Sequence, residues 1–241
     1  MTASTIPARS GAGAGAIALG LAFNVPFSLL AISYDYPDIL RRPAAEALDR
    51  FAMGGPGLIL TWYAFGLTAL AFVPVAVALS LTAPRLQRWP ALAVGAAVAG
   101  ALAGLTQAIG LMRWVFVIPG LARAHADARA TPDARAAAER AFDLLNAYGG
   151  VAIGEHLGQL LTALFVLMLS RLQWLEGRRM TAAVGLASAA ALVVGSGEAL
   201  AIALERSGEV FGLITIAGFL GLTAWLLLTG AGLFRGQGRL G

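Results

Sequence analysis

YGGVAIGEHLGQLLTALFVLMLS, Tyr148 to Ser170, decides the fold class of this chain. A hydrocarbon core of about 30 Å takes roughly 20 residues of helix at 1.5 Å each, so the run is long enough to cross a bilayer. Ten of its residues are Leu, Ile, Val or Phe. On an insertion scale these contribute roughly −3 to −6 kcal/mol, against a penalty of about 3 kcal/mol for one acid at the centre. The stretch therefore inserts in spite of Glu155. An ionisable side chain kept inside a membrane helix is a functional-site hypothesis by default, so Glu155 and its neighbour His156 mark the place to look.

The rest of the chain agrees with that class. Hydrophobic residues make up 59% and charged residues 12%, and the mean hydropathy is +0.77. Soluble domains lie nearer 45 to 50% apolar and about 25% charged, so a soluble fold is excluded. All 17 basic residues are arginine. With the Ala and Gly content this points to a GC-rich bacterial genome and not to nucleic-acid binding. Zero cysteines remove disulfides, thiolate metal sites and cysteine nucleophiles together. Arg9 precedes the first apolar stretch without a convincing small-residue cleavage site after it, which reads as a retained helix and not a signal peptide.

Six stretches have the length to span, at about 14–34, 57–82, 91–118, 148–170, 181–204 and 210–233. The expected fold is an all-α, six-helix integral membrane bundle forming one transmembrane domain over 1–241. The N-terminal segment, 83–90, 171–180 and the C-terminal segment hold eight arginines and one acid, Glu176, whereas the longer opposite connections hold eight arginines and ten acids. The positive-inside tendency then puts both termini in the cytoplasm of a bacterial inner membrane.

Two long connections on the opposite side carry short amphipathic helices. Pro43 to Met53 offers Leu48, Phe51 and Ala52 on one side and pairs Glu46 with Arg50 before Gly54, Gly55 and Pro56 stop it. It reads as a helix lying on the membrane surface. In the second connection Thr131 and Pro132 form an N-cap and N1 pair, Arg135 and Glu139 are spaced i,i+4, Phe142, Leu144 and Leu145 supply an apolar side, and Gly149 and Gly150 close the run. These helices either cap the bundle or form a lid.

Polar residues inside the spans cluster by depth. Arg113, Glu155, His156 and Glu198 each lie some five to seven residues from the same ends of their helices, within roughly 8 to 12 Å of one surface. Gln107 and Gln159 lie deeper, and Asn24 precedes Pro26 in the first span. Glu198 sits in a helix diluted by Ala, Gly and Ser, so it needs a partner or a proton. Arg113, the intramembrane cation, is the expected partner of Glu155 or Glu198. His125 is expected in solvent. Gly150, Gly154 and Gly158 form a stripe that allows close helix approach, as do Gly100 and Gly104.

Nothing resembles a phosphate-binding loop, a dinucleotide fingerprint or a nucleophile elbow, and the two histidines lack HExxH spacing. No metal and no cofactor are expected. LMRWVFVIPGLARA (Leu111 to Ala124) and YGGVAIGEHLGQLLTALFVLML (Tyr148 to Leu169) resemble a family of bacterial multi-pass membrane proteins known only as a domain of unknown function. Arg-Trp followed by Pro and the Gly-Glu-His-Leu-Gly core carry that resemblance. It implies a six-helix membrane protein and brings no activity. From the residues themselves, Arg113, Glu155, His156, Gln159 and Glu198 are the candidate ligand-binding set for a small polar or ionic ligand, with Arg113 holding an anionic group and Glu155 and His156 responding to protons. An intramembrane enzyme using Glu155 or His156 as general base, or a structural or regulatory subunit, are the alternatives. The bilayer is the expected partner, and oligomeric state is not legible.

Overall fold

A computed structural model describes residues 5–235; Arg239, counted above among the basic C-terminal residues, lies outside them. Among the described residues the chain is helical and without strands. Six helical runs are long and apolar enough to cross a membrane: Ser10–Tyr34, Ala44–Ser80, Pro90–Ala126, Pro132–Leu175, Arg179–Ala203 and Glu209–Phe234. This is a multi-pass, all-α membrane protein. Its two ends are named here by their connections, the short-loop face and the long-loop face.

The first run divides into α1 (Thr5–Ala22) and α2 (Asn24–Tyr34), because Pro26 has no N–H for the carbonyl of Ala22 four residues earlier. After a 3-10 turn at Asp38–Arg41, α3 (Ala44–Ser80) contains both the first amphipathic helix and the second span. Gly55, at φ 60° and ψ −163°, separates the two. A side chain there would be strained, and only glycine adopts this turn freely. α4 (Ala83–Arg88) leads into α5 (Pro90–Phe116), which continues beyond a bend at Val117 as α6 (Ile118–Ala126).

The second connection departs from its sequence reading. The Thr131 hydroxyl caps α7 (Pro132–Leu145) by accepting from the Ala134 N–H at 3.2 Å. Gly149 and Gly150 then do not close the run. α7 passes through a π-helical segment, Asn146–Leu157, straight into α8 (Gly158–Leu175). The physical reason is the solvent: ending a helix near the hydrocarbon region strands its last carbonyls, so the glycines serve packing and the ladder continues. Leu144 is 71% exposed, and only Phe142 of the proposed apolar side is deeply buried. α9 (Arg179–Gly195), α10 (Gly197–Ala203) and α11 (Glu209–Arg235) complete the chain.

α3, α5 and α8 pack side by side, α9 lies between α8 and α11, and α1 lies along α11. α2 leaves α11 and leans on α3. The core has two parts. Towards the short loops, Phe72, Phe165, Leu169, Leu172 and Trp225 are buried together, with Trp225 Nε1 donating to Gln173 Oε1 at 2.9 Å. Towards the long loops the core is aromatic: Trp62 stacks on Trp114 at 4.7 Å, Phe51 stacks on Trp114, and Tyr34 meets Phe51, Trp62 and Trp114 edge to face. The apolar side of the first amphipathic helix therefore packs against protein. Leu48 and Phe51 are buried in this cluster, and the Ala47 carbonyl accepts from the Tyr34 hydroxyl at 2.9 Å. Ala52, read as part of the same apolar side, is exposed.

The glycine stripe sets the distance between α5 and the π-helical segment. A Cβ on Gly110 would come 2.6 Å from the Cα of Gly154, and one on Gly158 would come 2.8 Å from Cγ of Gln107. Backbone is thus against backbone where these helices cross. Replacing Gly154 with Ala should lower the thermal midpoint of the detergent-solubilised protein, by about 1 to 3 kcal/mol of stability for an overpacked contact. Gly57→Ala, where nothing lies within 4 Å, should leave the same melting curve unshifted or slightly raised.

Candidate functional site

A cavity of ≈ 830 Å³ opens among α2, α3, α5, the π-helical segment, α10 and α11. Arg113, Glu155, Gln159 and Glu198 line it, as do Gln107 and Asn24; His156 is not among its lining residues. Its walls are largely aromatic and aliphatic, with Phe27, Tyr36, Trp62, Phe65 and Phe219 prominent. A volume of this size is within the range of about 300 to 1,000 Å³ typical of small-molecule sites.

The cation that holds the carboxylates is Arg41, and not Arg113. Arg41 Nη2 donates to Glu155 Oε2, and Arg41 Nε donates to Glu198 Oε1 at 3.0 Å. One guanidinium from the first long connection therefore ties the fourth span to the fifth. Its own position is fixed locally. Asp35 leaves α2 in the left-handed region at φ 58°, and the 3-10 turn that follows brings Arg41 over the cavity while Arg42 turns outward. Arg42 pairs with Asp35 at 2.6 Å and with Glu46 at 3.2 Å, and Arg50 pairs with Glu46 at 2.8 Å. Burial works to lower the Arg41 pKa, but the charges and hydrogen bonds of Glu155 and Glu198 outweigh it, and the net shift is upward. A cation with a raised folded-state pKa keeps its partner's stabilisation at all pH values below its ordinary range, so Arg41 stays charged under any working condition. Burial, reinforced by Glu155, raises the pKa of Tyr36 at the cavity wall, so its phenol stays neutral.

Arg113 is 8% exposed and takes different partners. Nη1 donates to the Gly110 carbonyl and Nη2 to Asn146 Oδ1 at 3.0 Å. Asn146 Nδ2 in turn donates to the Leu40 carbonyl at 3.1 Å, which also accepts from Arg41 Nη1 at 3.4 Å. Arg113 thus supports the turn that carries Arg41. The guanidinium fits beside Gly150, where a Cβ would meet Arg113 Cζ at 2.7 Å, and lies 5.2 Å from the Trp114 ring. The expected Arg113 pairing with Glu155 or Glu198 is therefore not formed: the missing Cβ at Gly150 leaves room for the guanidinium, and the Gly110 carbonyl and Asn146 hold it there.

His156 points its chemistry elsewhere. Its Nδ1 is 3.0 Å from the Ser196 carbonyl, which joins the fourth span to the break between α9 and α10. Glu155 and His156, one residue apart, diverge around the helix as the i,i+1 spacing requires. Gln159 Nε2 donates to the Leu192 carbonyl and to Thr215 Oγ1, both at 2.9 Å, and Gln107 Nε2 donates to Thr162 Oγ1 at 2.8 Å. His125 is not solvated. It is 6% exposed, with Nδ1 2.9 Å from Asp49 and Nε2 2.9 Å from Glu139, and it clasps α6 to α3 and α7. Glu139 is thereby used by His125 and not by Arg135.

Arg41, Tyr36 and Asn146 are the members that sequence reading missed. The Arg41–Arg42 pair beside Pro37 and Pro43 was the available signal, but in a linear count both arginines belong to a surface connection. Among the described residues no group of three or more His, Cys, Asp or Glu could hold a metal.

A double-mutant cycle of Arg41→Met with Glu198→Gln should give a coupling of about 1 to 2 kcal/mol, read from denaturant unfolding in micelles. That value lies between exposed pairs, at about 0 to 1 kcal/mol, and buried ones, because Arg41 keeps 32% of its side-chain surface. The same cycle with Arg42→Met and Asp35→Asn should stay under about 1 kcal/mol.

No curated protein and no solved structure matches the chain. The family model described as a domain of unknown function, DUF4386, matches residues 12–230. With nearly the whole of the six-span bundle inside that match, the chain belongs to the DUF4386 family of domains of unknown function.

Proposed function

We propose that this membrane protein binds a ligand bearing a small polar or ionic group in the cavity under Arg41, and that release of either carboxylate from the Arg41 bridge loosens the mouth. The supporting observation is the arginine bridge itself. One guanidinium serves two carboxylates from different spans, so neutralising either acid removes one side of the strap, while Arg41 cannot switch. Two carboxylates sharing one guanidinium leave a net negative charge, which favours an incoming cation over an anion.

The cavity stops above the short-loop core. Phe165, Leu169, Leu172 and Trp225 are fully buried there and leave a packed floor. Binding from one side fits this arrangement better than an open channel, and passage requires the floor to move. Glu155 as a general base is the competing enzyme reading; it draws on Oε1, which is buried and has no hydrogen-bond partner. His156 fits that role less well, since it does not line the cavity. A product formed by wild type and lost in Glu155→Gln, with ligand retention unchanged, would establish the enzyme reading.

Native mass spectrometry of the full chain from mild detergent provides the direct test. Wild type should retain a co-purified non-protein mass, and Gly212→Phe, which places a ring in the cavity where the nearest atoms to a Cβ are at 3.7 Å or more, should not. Identical spectra from the two proteins would count against a ligand site.

The arginine and acid distribution supports a placement in a bacterial inner membrane with cytoplasmic termini. The cysteine-free chain makes that easy to check. In intact bacterial cells a membrane-impermeant maleimide should label Ala128→Cys on the long-loop face and leave Gln87→Cys on the short-loop face unlabelled. The opposite pattern would invert the topology.

A further inference from the structure

The cavity is much longer than a small ion requires. Along α11 its lining runs from Glu209 to Leu222, a rise of thirteen steps or roughly 20 Å at 1.5 Å each. That is about two thirds of a hydrocarbon core of about 30 Å. The chemistry changes along this length. Arg41, Glu155, Glu198 and Glu209 stand at the long-loop end, while Leu19, Phe23, Phe72, Phe219 and Leu222 line the deep end. A polar group at one end and an apolar slot at the other describe an amphiphile.

The wall facing the bilayer is divided. Asn24 Nδ2 donates to Thr223 Oγ1 at 3.2 Å and ties the first span to the last. On the α1 side of this bond, α1 packs along α11; on the α2 side, α2 leans on α3 while α11 stays with α9 and α10. Asn24 and Phe27 of α2 and Leu213, Ile216 and Leu220 of α11 all line the cavity, and Leu213 and Leu220 are 65% and 60% exposed. Cavity lining and exposed apolar side chains therefore coincide where α2 and α11 diverge.

Charge at the mouth selects the head group. Four cavity-lining residues are acids, Asp38, Glu155, Glu198 and Glu209, against three arginines, Arg41, Arg113 and Arg206. Arg41 and Arg113 direct their terminal N–H groups to protein oxygens. Among the lining residues Glu155 Oε1, Arg113 Nε and Trp62 Nε1 are buried without partners, so leftover hydrogen-bonding capacity does not by itself choose between a donor and an acceptor. The excess of acids over arginines favours a positively charged head group, and the aromatic rings of Phe27, Tyr36 and Trp62 among the lining residues also favour a cation.

Resting on the reading of the cavity as a ligand site, we infer that its ligand is an elongated amphiphile with an ammonium head group, which enters sideways from the bilayer through the slot between α2 and α11. The ammonium sits against Glu155 and Glu198 beside Arg41, and the chain lies along Phe219 and Leu222.

The test uses the full chain in a neutral maltoside detergent, with native mass spectrometry reading 1:1 retention of added probes. Hexadecylamine should be retained at least tenfold more strongly than hexadecyl phosphate, and ethylammonium should not compete with it. Glu155→Gln should weaken hexadecylamine about tenfold. Leu220→Trp, which narrows the slot on an exposed position and does not disturb the Arg41 bridge, should slow its uptake; melting curves for both variants exclude unfolding as the cause. Phosphatidylethanolamine and phosphatidylglycerol form a second pair of probes. Retention of the former over the latter identifies the bilayer as the source, and retention of hexadecylamine alone identifies a free amphiphilic amine. Preference for hexadecyl phosphate overturns the ammonium head group, and full competition by ethylammonium overturns the apolar slot; either result leaves a polar-ligand site standing. Failure of every probe together with identical spectra for wild type and Gly212→Phe removes both.

Discussion

Arg41 reaching Glu155 and Glu198 is the contact on which the arrangement of the long-loop half depends. Two carboxylates facing one cavity inside a membrane protein repel each other and lose hydration, and each alone carries a cost of a few kcal/mol. A single planar guanidinium offers donors in more than one direction, so it satisfies acids from two helices at once. That requirement explains why the first connection is not a free loop. Asp35, Glu46, Arg42 and Arg50 lock its course, the Leu40 carbonyl is held by Asn146, and Arg113 in turn holds Asn146. The buried arginine in the third span and the strap over the cavity belong to one hydrogen-bonded chain.

The fold class was legible because it depends on sums. Apolar length, charge scarcity and the absence of cysteine act over whole spans, and no single contact reverses them. The Gly54–Gly55–Pro56 stop was legible for a different reason, since a positive φ at Gly55 is a local property of backbone sterics. Gly149–Gly150 looked like the same signal and was not. The two pairs differ in their surroundings: Gly55 has open space around it, whereas Gly150 accommodates the Arg113 side chain and Gly149 faces the crossing with α5. Sequence alone does not distinguish a glycine that frees the backbone from one that makes room for a neighbour.

Site residues separate along the same line. Depth along a helix is read by counting, and Arg113, Glu155, Gln159 and Glu198 do line one cavity. Pairing between them needs directions in space that counting does not supply. Counting pairs Arg113 with the carboxylates as the cation within a span, yet Arg41, outside the spans, is the one that reaches them. His125 illustrates the same gap. It lies in a polar connection that composition assigns to solvent, but the connection folds back, and the imidazole is buried between Asp49 and Glu139. Polar residues in long connections of membrane proteins are thus poor evidence of exposure when those connections carry their own helices.

The two halves of the bundle divide labour by the kind of contact they use. The short-loop half is held by small residues and close packing, with Gln173, Ser188 and Thr229 satisfied inside the protein. Such a core has few alternative arrangements, because interiors packed to crystal density respond in discrete steps and not by gradual deformation. The long-loop half adds to its buried aromatic cluster ion pairs, a 3-10 turn and a π-helical segment, which are the elements that rearrange at lower cost. A ligand entering between α2 and α11 meets the adaptable half and rests against the rigid one. Movement on binding is therefore expected to concentrate in residues 35–43 and in α10, which carry Arg41 and Glu198, while α5, α8 and α9 keep their positions as the frame against which the cavity opens and closes.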